Sequence, residues 1–142
     1  MNILVTLNSN YIAPLKVIFW SLFFDNPGQS FNIYLMHSFI SEEKLDGLRR
    51  FVAANGQNLF MITVCEDCFE EAPVVMHYSK EMYYRLLAYK FLPAQLGRIL
   101  YMDMDILVIN PIGEFYDTEI VNYLYATAYH DRVLSWESTN SG

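Results

Sequence analysis

Short apolar runs with the length of β-strands alternate along this chain with longer segments that carry the periodicity of α-helices. We predict strands at residues 2–7, 31–37 and 58–64, a fourth that carries residues 103–105, and one further strand at residues 121–129. Strands that alternate with helices at these lengths imply right-handed crossovers and a mostly parallel sheet. The sequence therefore predicts an α/β fold, with a Rossmann-like, mostly parallel sheet and helices on both faces.

The predicted helices are marked by apolar periodicity and by residues that begin or end helices. Five apolar residues share one face of the first helix, namely Leu15, Ile18, Phe19, Leu22 and Phe23. Ser41 can cap a second helix, which Gly56 closes. Ser79 can cap a third helix over residues 80–92, which stops before Pro93 because the residue preceding a proline disfavours the helical conformation.

Composition and charge restrict the class of protein and the partners it can bind. A chain of 142 residues suits one domain, and its hydrophobic share of 54% favours a packed core over disorder. The formal net charge is -7 and the longest basic cluster is the pair Arg49 and Arg50, which argues against a nucleic-acid partner. The N-terminus lacks a secretory signal, and residues 15–24 are shorter than the about 20 residues of a transmembrane helix. We expect a cytoplasmic protein without a transmembrane segment, either free or peripheral at a membrane surface.

Two carboxylates interrupt a strongly apolar segment at residues 98–111, which read RILYMDMDILVINP. In an extended strand Asp103 and Asp105 would point the same way, with their Cα atoms about 6.6 Å apart. Carboxylates among apolar neighbours are costly to desolvate unless a cation or hydrogen-bond donors compensate them. Manganese and magnesium ions prefer oxygen ligands and leave positions open for phosphates, so we predict a site for Mn²⁺ or Mg²⁺. The alternative is a strand end whose aspartates cap a turn.

The predicted topology brings the polar loop at residues 8–11 close to these aspartates, because ligands of such sheets bind at the carboxyl ends of the strands. In that loop, Tyr11 can provide a stacking platform for a base or pack at the entry to the first helix. Arg85 lies in an aromatic helix, where its guanidinium needs a partner. That partner is a ligand, or alternatively Glu81 one turn earlier.

Three further polar residues and a pair of cysteines are weaker candidates. His77, His130 and Asp131 can stand at the edge of a ligand site, or be satisfied locally. Cys65 and Cys68 form a C-x-x-C pair, but a zinc site needs two further ligands and none is evident nearby. We interpret the cysteines as reduced thiols.

Three segments together resemble glycosyltransferase family 8: residues 8–11 (NSNY), 83–86 (YYRL) and 101–108 (YMDMDILV). The similarity spans nearly the whole chain, and the motifs stand in the order and at the spacing of the family's amino-terminal half. The resemblance implies the GT-A fold, a UDP-sugar donor, a manganese ion, and transfer of a hexose to a saccharide or glycoconjugate acceptor. It also implies that the anomeric configuration of the sugar is retained.

The resemblance also implies which residues contact the nucleotide. Tyr11 would stack on the uracil, Asn8 and Asn10 would contact the nucleotide, and Thr6 and Leu7 would offer backbone groups to it. Many relatives have an acidic residue where this chain has Asn8. An asparagine carbonyl can still accept the hydrogen bond from the uracil N3, with less certain base selectivity.

By the same resemblance, Asp103 and Asp105 would hold the metal and, through it, the diphosphate. Met104 lies between them and is assigned to the donor site. Arg85 would reach the phosphate or the donor sugar, because its guanidinium presents fixed donors that suit oxygen-rich ligands.

The family continues past the position of Gly142 with an Asn-Ala-Gly motif, a histidine that completes the metal site, and much of the acceptor surface. We therefore expect residues 1–142 to be a single nucleotide-sugar-binding portion, truncated at its C-terminus, that binds UDP weakly, transfers no sugar on its own and self-associates through uncovered surface. Two alternatives stay open. One is a non-catalytic nucleotide-sugar-binding remnant, and the other is a phosphatase of the haloacid dehalogenase type with Asp103 as nucleophile.

Overall fold

The structure is a computed structural model that describes residues 1–65 and 81–120, with side chains described from residue 84 onward in the second range. The further strand predicted at residues 121–129 and the cap predicted at Ser79 lie outside these residues.

The described residues form a four-stranded sheet in which every pair of neighbouring strands is parallel. Strands and helices alternate along the chain as β1 (Asn2–Thr6), α1 (Ile12–Asp25), β2 (Asn32–His37), α2 (Glu42–Ala54), β3 (Asn58–Thr63), α3 (Glu81–Leu87), β4 (Leu100–Tyr101) and α4 (Gly113–Tyr116). A 3₁₀ turn, Ala88–Lys90, follows α3 directly. The order across the sheet is β3-β2-β1-β4, so β1 lies between β2 and β4. The predicted α/β fold with a parallel sheet is confirmed.

Apolar side chains cover both faces of the sheet, which confirms that helices pack on each side. On one face the alternate strand residues Ile3, Val5 and Leu35 form a core with the inner face of α1, where Phe19 and Leu22 are fully buried. On the other face α3 and the residues after it cover a smaller cluster, with Leu4, Tyr34, Met36 and Tyr84 among its buried members. Each fully buried side chain of this kind contributes about 1.5–3 kcal/mol, so the two cores hold β1 rigidly between them.

Three asparagines form a ladder across the amino ends of the strands. The Asn32 side-chain amide donates to the Asn2 side-chain oxygen over 3.1 Å, and the Asn58 amide donates to Asn32 over 3.0 Å. The Asn2 amide in turn donates to the backbone carbonyl of Arg98 over 3.0 Å. Because a slip of one residue would break every bond of this ladder, these asparagines favour the observed register.

Two predicted elements are shorter than the sequence indicated. The fourth strand ends at Tyr101, so the prediction that it carries the aspartate pair is wrong. The helix predicted over residues 80–92 leaves α-helical geometry after Leu87 and continues as the 3₁₀ turn. The backbone N–H groups of Phe91 and Leu92 both donate to the carbonyl of Ala88 there, a tightening that is common where a helix ends.

The remaining helix predictions agree with the structure. Ser41 immediately precedes α2, although its hydroxyl makes no capping hydrogen bond. Gly56 follows the end of α2 with a positive φ of 69°, and its N–H donates to the carbonyl of Ala53 over 2.9 Å. A residue other than glycine would be strained in that conformation.

Candidate functional site

The loop between β1 and α1 is held in one shape by hydrogen bonds to its backbone. The Asn8 side-chain oxygen accepts the N–H of Asn10 over 3.0 Å, and the Asn8 carbonyl accepts the N–H of Tyr11 over 3.2 Å. From the neighbouring helix α2, the Lys44 ammonium donates to the carbonyl of Ser9 over 3.0 Å. These contacts fix residues 8–11 at the carboxyl end of β1 without using the Tyr11 ring.

Tyr11 precedes α1, and its side chain is 47% exposed. Its backbone carbonyl accepts the N–H of Leu15 over 2.9 Å, so the helix fixes the position from which the ring projects. An aromatic ring that is half exposed at a strand end can stack on a base. Asn10 is exposed beside it, whereas Asn8 is half-buried and one acceptor position of its side-chain oxygen is occupied by the bond to Asn10. A second acceptor position on that oxygen is left for a ligand.

Asp103 and Asp105 are both exposed just beyond the end of β4. The Asp103 Oδ1 atom accepts the N–H of Met104 over 2.9 Å, and the chain turns at residues 104–105. The extended geometry that we predicted for the pair therefore does not hold, because the carboxylate of Asp103 supports a turn. Exposure also removes the desolvation cost that motivated part of the prediction, since both carboxylates face solvent.

The pairing of β1 with β4 brings this turn next to the loop after β1. Leu4 is level with Tyr101 in the ladder, and the N–H of Met102 adds one more bond to the Leu4 carbonyl over 2.9 Å. Thr6 lies two residues after Leu4, and Asp103 lies two residues after Tyr101. The loop at residues 8–11 and the two aspartates therefore leave the same edge of the sheet from neighbouring strands, as the topology predicted.

Three of the predicted donor-site residues have buried side chains. Thr6 and Leu7 are 5% and 2% exposed, so their backbone groups are what they can offer to a ligand. Met104 is 9% exposed, and its side chain belongs to the core that α1 covers. A ligand that reaches Met104 would therefore contact its backbone in the turn between the aspartates.

Arg85 lies on α3 with an exposed side chain, and its guanidinium carbon lies 5.4 Å from the centre of the Tyr101 ring. The prediction that it lies in an apolar helix is correct for the helix, but its own side chain is not buried. The alternative partner, Glu81, has a side chain outside the described part of the structure. Among the described side chains, ion pairs join Arg49 to Glu42 and to Asp46, and none involves Arg85.

His37 was not identified from the sequence, although it ends β2 beside the loop after β1. It is 4% exposed, and neither ring nitrogen has a hydrogen-bond partner among the described residues. Burial lowers the pKa of His37, an effect that the negative charge of Glu42 opposes and the positive charge of Arg49 reinforces. The signal in the sequence was a histidine that directly follows the apolar residues of a predicted strand.

The oxygen-donor chemistry of the aspartate pair fits a hard divalent cation in part. Each carboxylate supplies oxygen ligands, and such ions commonly complete their coordination with water and substrate phosphates. Within residues 1–65 and 81–120, no group of three or more histidine, cysteine, aspartate or glutamate side chains could hold a metal ion. Asp103 and Asp105 are the two carboxylates that follow β4 directly at this edge.

Several predicted residues lie outside the described residues, namely His77, His130, Asp131 and Cys68. Cys65 is described and exposed. No helix among the described residues is long and apolar enough to cross a membrane.

A shallow depression also lies away from this edge, between the C-terminal ends of α1 and α2. Trp20, Phe24 and Asn55 are among its lining residues, and it opens at the amino ends of β2 and β3. Its position opposite the aspartate turn separates it from the candidate site. We take the candidate site to be the edge where the loop at residues 8–11 and the aspartate turn at residues 103–105 meet, because ligands of parallel α/β sheets bind at the carboxyl ends of the strands.

A polar loop follows β1 and two carboxylates follow the neighbouring strand β4, which is the edge where parallel α/β sheets bind their ligands. Comparison with protein families makes the class specific. The family model described as "Glycosyl transferase family 8" matches residues 2–141 of this chain. The chain belongs to glycosyltransferase family 8, which confirms the resemblance seen in its three motifs. The comparisons give no support to the phosphatase alternative.

Two curated relatives carry glycosyltransferase names. A putative glycosyltransferase of Haemophilus influenzae is 27% identical over 135 residues, which are 94% of this chain and 40% of that protein. The lipopolysaccharide 1,2-glucosyltransferase of Escherichia coli is 21% identical over 114 residues, which are 80% of this chain and 34% of that protein. The chain thus spans less than half the length of either protein.

A solved structure supports the same fold. The galactosyltransferase LgtC, in a complex with donor and acceptor sugar analogues, matches with a TM-score of 0.77 and 26% identity. The match covers 84% of this chain and 43% of the LgtC chain. Together with the parallel sheet and the family match, this likeness confirms the predicted GT-A fold.

Proposed function

We propose that this chain binds a UDP-sugar at the carboxyl edge of β1 and β4, and that it supplies the donor side of a metal-dependent hexosyl transfer. The observation that carries the proposal is the adjacency of the two strands, which brings the loop at residues 8–11 and the aspartate turn to one edge. Family membership supports glycosyl transfer as the reaction. The names of two relatives, a glucosyltransferase and a galactosyltransferase, support a hexose as the transferred sugar.

The uracil base would bind at the loop after β1. The Tyr11 ring is exposed enough to stack on a base, and its backbone is held by the first turn of α1. The free acceptor position on the Asn8 side-chain oxygen would take the N3 proton of uracil. Cytosine has no proton at that position, so the same contact favours uracil over cytosine.

The diphosphate would bind between the aspartate turn and Arg85. Asp103 and Asp105 would hold a manganese or magnesium ion, which supplies the positive charge that joins a diphosphate to an acidic protein. Arg85 is exposed and makes no described ion pair, so its guanidinium is available to phosphate oxygens. This arrangement would neutralise charge on the leaving diphosphate while the sugar is transferred. The proposed transfer retains the anomeric configuration of the sugar, as the resemblance to the family implies.

The decisive experiment is a titration of UDP into the protein with and without Mn²⁺, followed by isothermal titration calorimetry at high protein concentration because the affinity is expected to be weak. Asp103→Ala and Asp105→Ala should each abolish the manganese-dependent part of UDP binding, since each removes an oxygen ligand. Asp117→Ala is the matched control. This variant removes one exposed carboxylate just after α4. It lies away from the proposed site, because the neighbouring Tyr116 hydroxyl accepts the N–H of Asn2 at the amino end of β1.

Turnover separates the proposed enzyme from the non-catalytic alternative. Incubation with UDP-glucose or UDP-galactose, Mn²⁺ and a panel of sugar acceptors should give glycosylated product in a chain that is catalytically complete. Manganese-dependent UDP binding without product, in a chain extended through the segment that follows in the family, supports the nucleotide-sugar-binding remnant. UDP affinity that does not change in either aspartate variant would remove the proposed site.

A further inference from the structure

Tyr101 connects three elements at the candidate site. Its backbone pairs with Leu4 in the ladder between β4 and β1, and its side chain is half-buried. The phenolic oxygen lies 3.3 Å from the Thr6 hydroxyl at the end of β1. The face of the ring receives the Arg85 guanidinium from α3 at 5.4 Å.

Arg85 depends on this ring for its placement. A long arginine side chain that is exposed on a short helix has many rotamers, and fixing one of them costs conformational entropy. Among the side chains that the structure describes, no carboxylate pairs with Arg85, so the Tyr101 ring is the contact that restricts its guanidinium. A cation over an aromatic face is attracted by the ring's negative electrostatic potential. The guanidinium edge stays free for a ligand, because stacking uses its plane and leaves its N–H groups available.

The hydroxyl of Tyr101 fixes the ring in turn. Its hydrogen bond to Thr6 joins the ring to the strand that leads into the loop at residues 8–11. The backbone of the same residue leads into the aspartate turn, because Asp103 is only two residues further on. The orientation of the Arg85 guanidinium is therefore tied to both loops of the candidate site through one side chain.

We propose that Tyr101 is a positioning residue that holds the Arg85 guanidinium over the carboxyl edge of β1 and β4, where it meets the diphosphate of the bound nucleotide. This inference rests on the proposed function, since it assumes that the edge binds UDP. Tyr101 itself acts through Arg85 and through the bond to Thr6. It provides the aromatic face, and Arg85 provides the charge.

A double-mutant cycle tests the proposal, with UDP in the presence of Mn²⁺ as the probe and uridine as the reference ligand. Tyr101→Leu should weaken UDP binding about two- to fivefold, the range of an exposed cation–π contact. The same substitution in an Arg85→Ala background should have no further effect, because the group that Tyr101 positions is gone. Tyr101→Phe keeps the aromatic face and loses only the bond to Thr6, so it should weaken UDP binding less than Tyr101→Leu does.

Uridine separates positioning from a loss of structure. It lacks phosphates, so Tyr101→Leu should leave its affinity unchanged, whereas damage to the sheet edge would weaken uridine and UDP together. The control is Tyr89→Leu, which removes an exposed tyrosine that also carries a cation, Lys90, at 5.9 Å from its ring. That variant should bind UDP like the parent.

Three results would overturn the proposal. They are equal weakening by Tyr101→Leu in the parent and Arg85→Ala backgrounds, a phenylalanine variant as weak as the leucine variant, and a parallel loss of uridine affinity. A parent protein that binds no UDP would instead overturn the proposed function, so the two failures are distinguishable. If Tyr101→Leu does not fold, Arg85→Met tests the premise that the Arg85 guanidinium meets the diphosphate, because its exposed side chain can be changed without altering the core. It should weaken UDP and spare uridine, and unchanged UDP affinity in this variant would refute the proposal.

Discussion

A buried hydrogen bond fastens residues 106–112, which follow the aspartate turn, to helix α1, and Ser21→Ala removes it. The N–H of Val108 donates to the Ser21 hydroxyl oxygen over 3.1 Å, and that hydroxyl donates to the carbonyl of Ile18 over 2.8 Å. Ser21 is 3% exposed and Val108 is 7% exposed, so solvent cannot readily replace the lost oxygen. Alanine fills nearly the same volume, which makes the missing acceptor the main consequence of the change.

The cost of this substitution follows from the N–H group that it leaves unpaired. A buried donor without a partner destabilises a protein by about 1–3 kcal/mol. The loss of the bond to Ile18 adds little, because the carbonyl of a residue inside a helix also accepts a backbone N–H one turn later. The neighbouring bond from the N–H of Ile112 to the Asn26 side-chain oxygen, at 2.8 Å, should keep the rest of the segment in place. We therefore expect a loss of about 1–3 kcal/mol with the fold intact.

Equilibrium unfolding in urea, followed by circular dichroism, measures this loss. The variant should unfold at a lower urea concentration with an unchanged slope, because the surface exposed on unfolding is the same. Ser30→Ala is the control, since Ser30 is exposed and makes no described side-chain hydrogen bond. A Ser21→Ala midpoint equal to that of the control would show that the hydrogen bond contributes nothing, and would refute the reasoning.

Other regions of the structure allow three further predictions. Burial lowers the pKa of His37, so the unfolded chain binds a proton more readily, and stability falls as the pH drops from about 6.5 towards the folded pKa. Urea unfolding from about pH 8 to pH 5 should therefore show a smaller loss of stability in His37→Leu than in the parent, and equal losses would contradict this. Asn32→Ala breaks two side-chain bonds of the asparagine ladder and should cost about 1–3 kcal/mol in the same assay, whereas a neutral result would exclude the ladder as a stabilising feature. Tyr11→Ala should weaken UDP binding by about 1–3 kcal/mol and Tyr11→Phe should not, so an alanine variant that binds like the parent would assign the ring to packing.

Apolar periodicity was sufficient to predict the layers of this fold. The inner face of α1, with Leu15, Phe19 and Leu22, is buried as predicted, because few side chains other than large apolar ones can fill the space between a helix and a sheet. The positive φ of Gly56 is equally readable, since a glycine after a helical segment commonly adopts that conformation. Such features depend on residues close in sequence or on one repeated period.

The details of the site depend on contacts that periodicity does not encode. An apolar run around Asp103 and Asp105 is compatible with a strand, but the carboxylate of Asp103 binds the next backbone N–H and supports a turn instead. The ring of Tyr101 meets Arg85, 16 residues earlier in the chain, only because α3 packs on the face of the sheet to which Tyr101 contributes. His37 was missed for a similar reason, since its burial results from the packing of α2 on the sheet.

The central claim is that the carboxyl edge of β1 and β4 holds a divalent cation together with the diphosphate of UDP. A crystal structure of the protein with UDP and Mn²⁺, with data collected for the anomalous scattering of manganese, tests it most directly. We predict one anomalous peak about 2.1 Å from carboxylate oxygens of Asp103 and Asp105, with the diphosphate on the same ion and the uracil against the Tyr11 ring. Manganese and UDP bound elsewhere, for example in the depression between α1 and α2, would contradict the account.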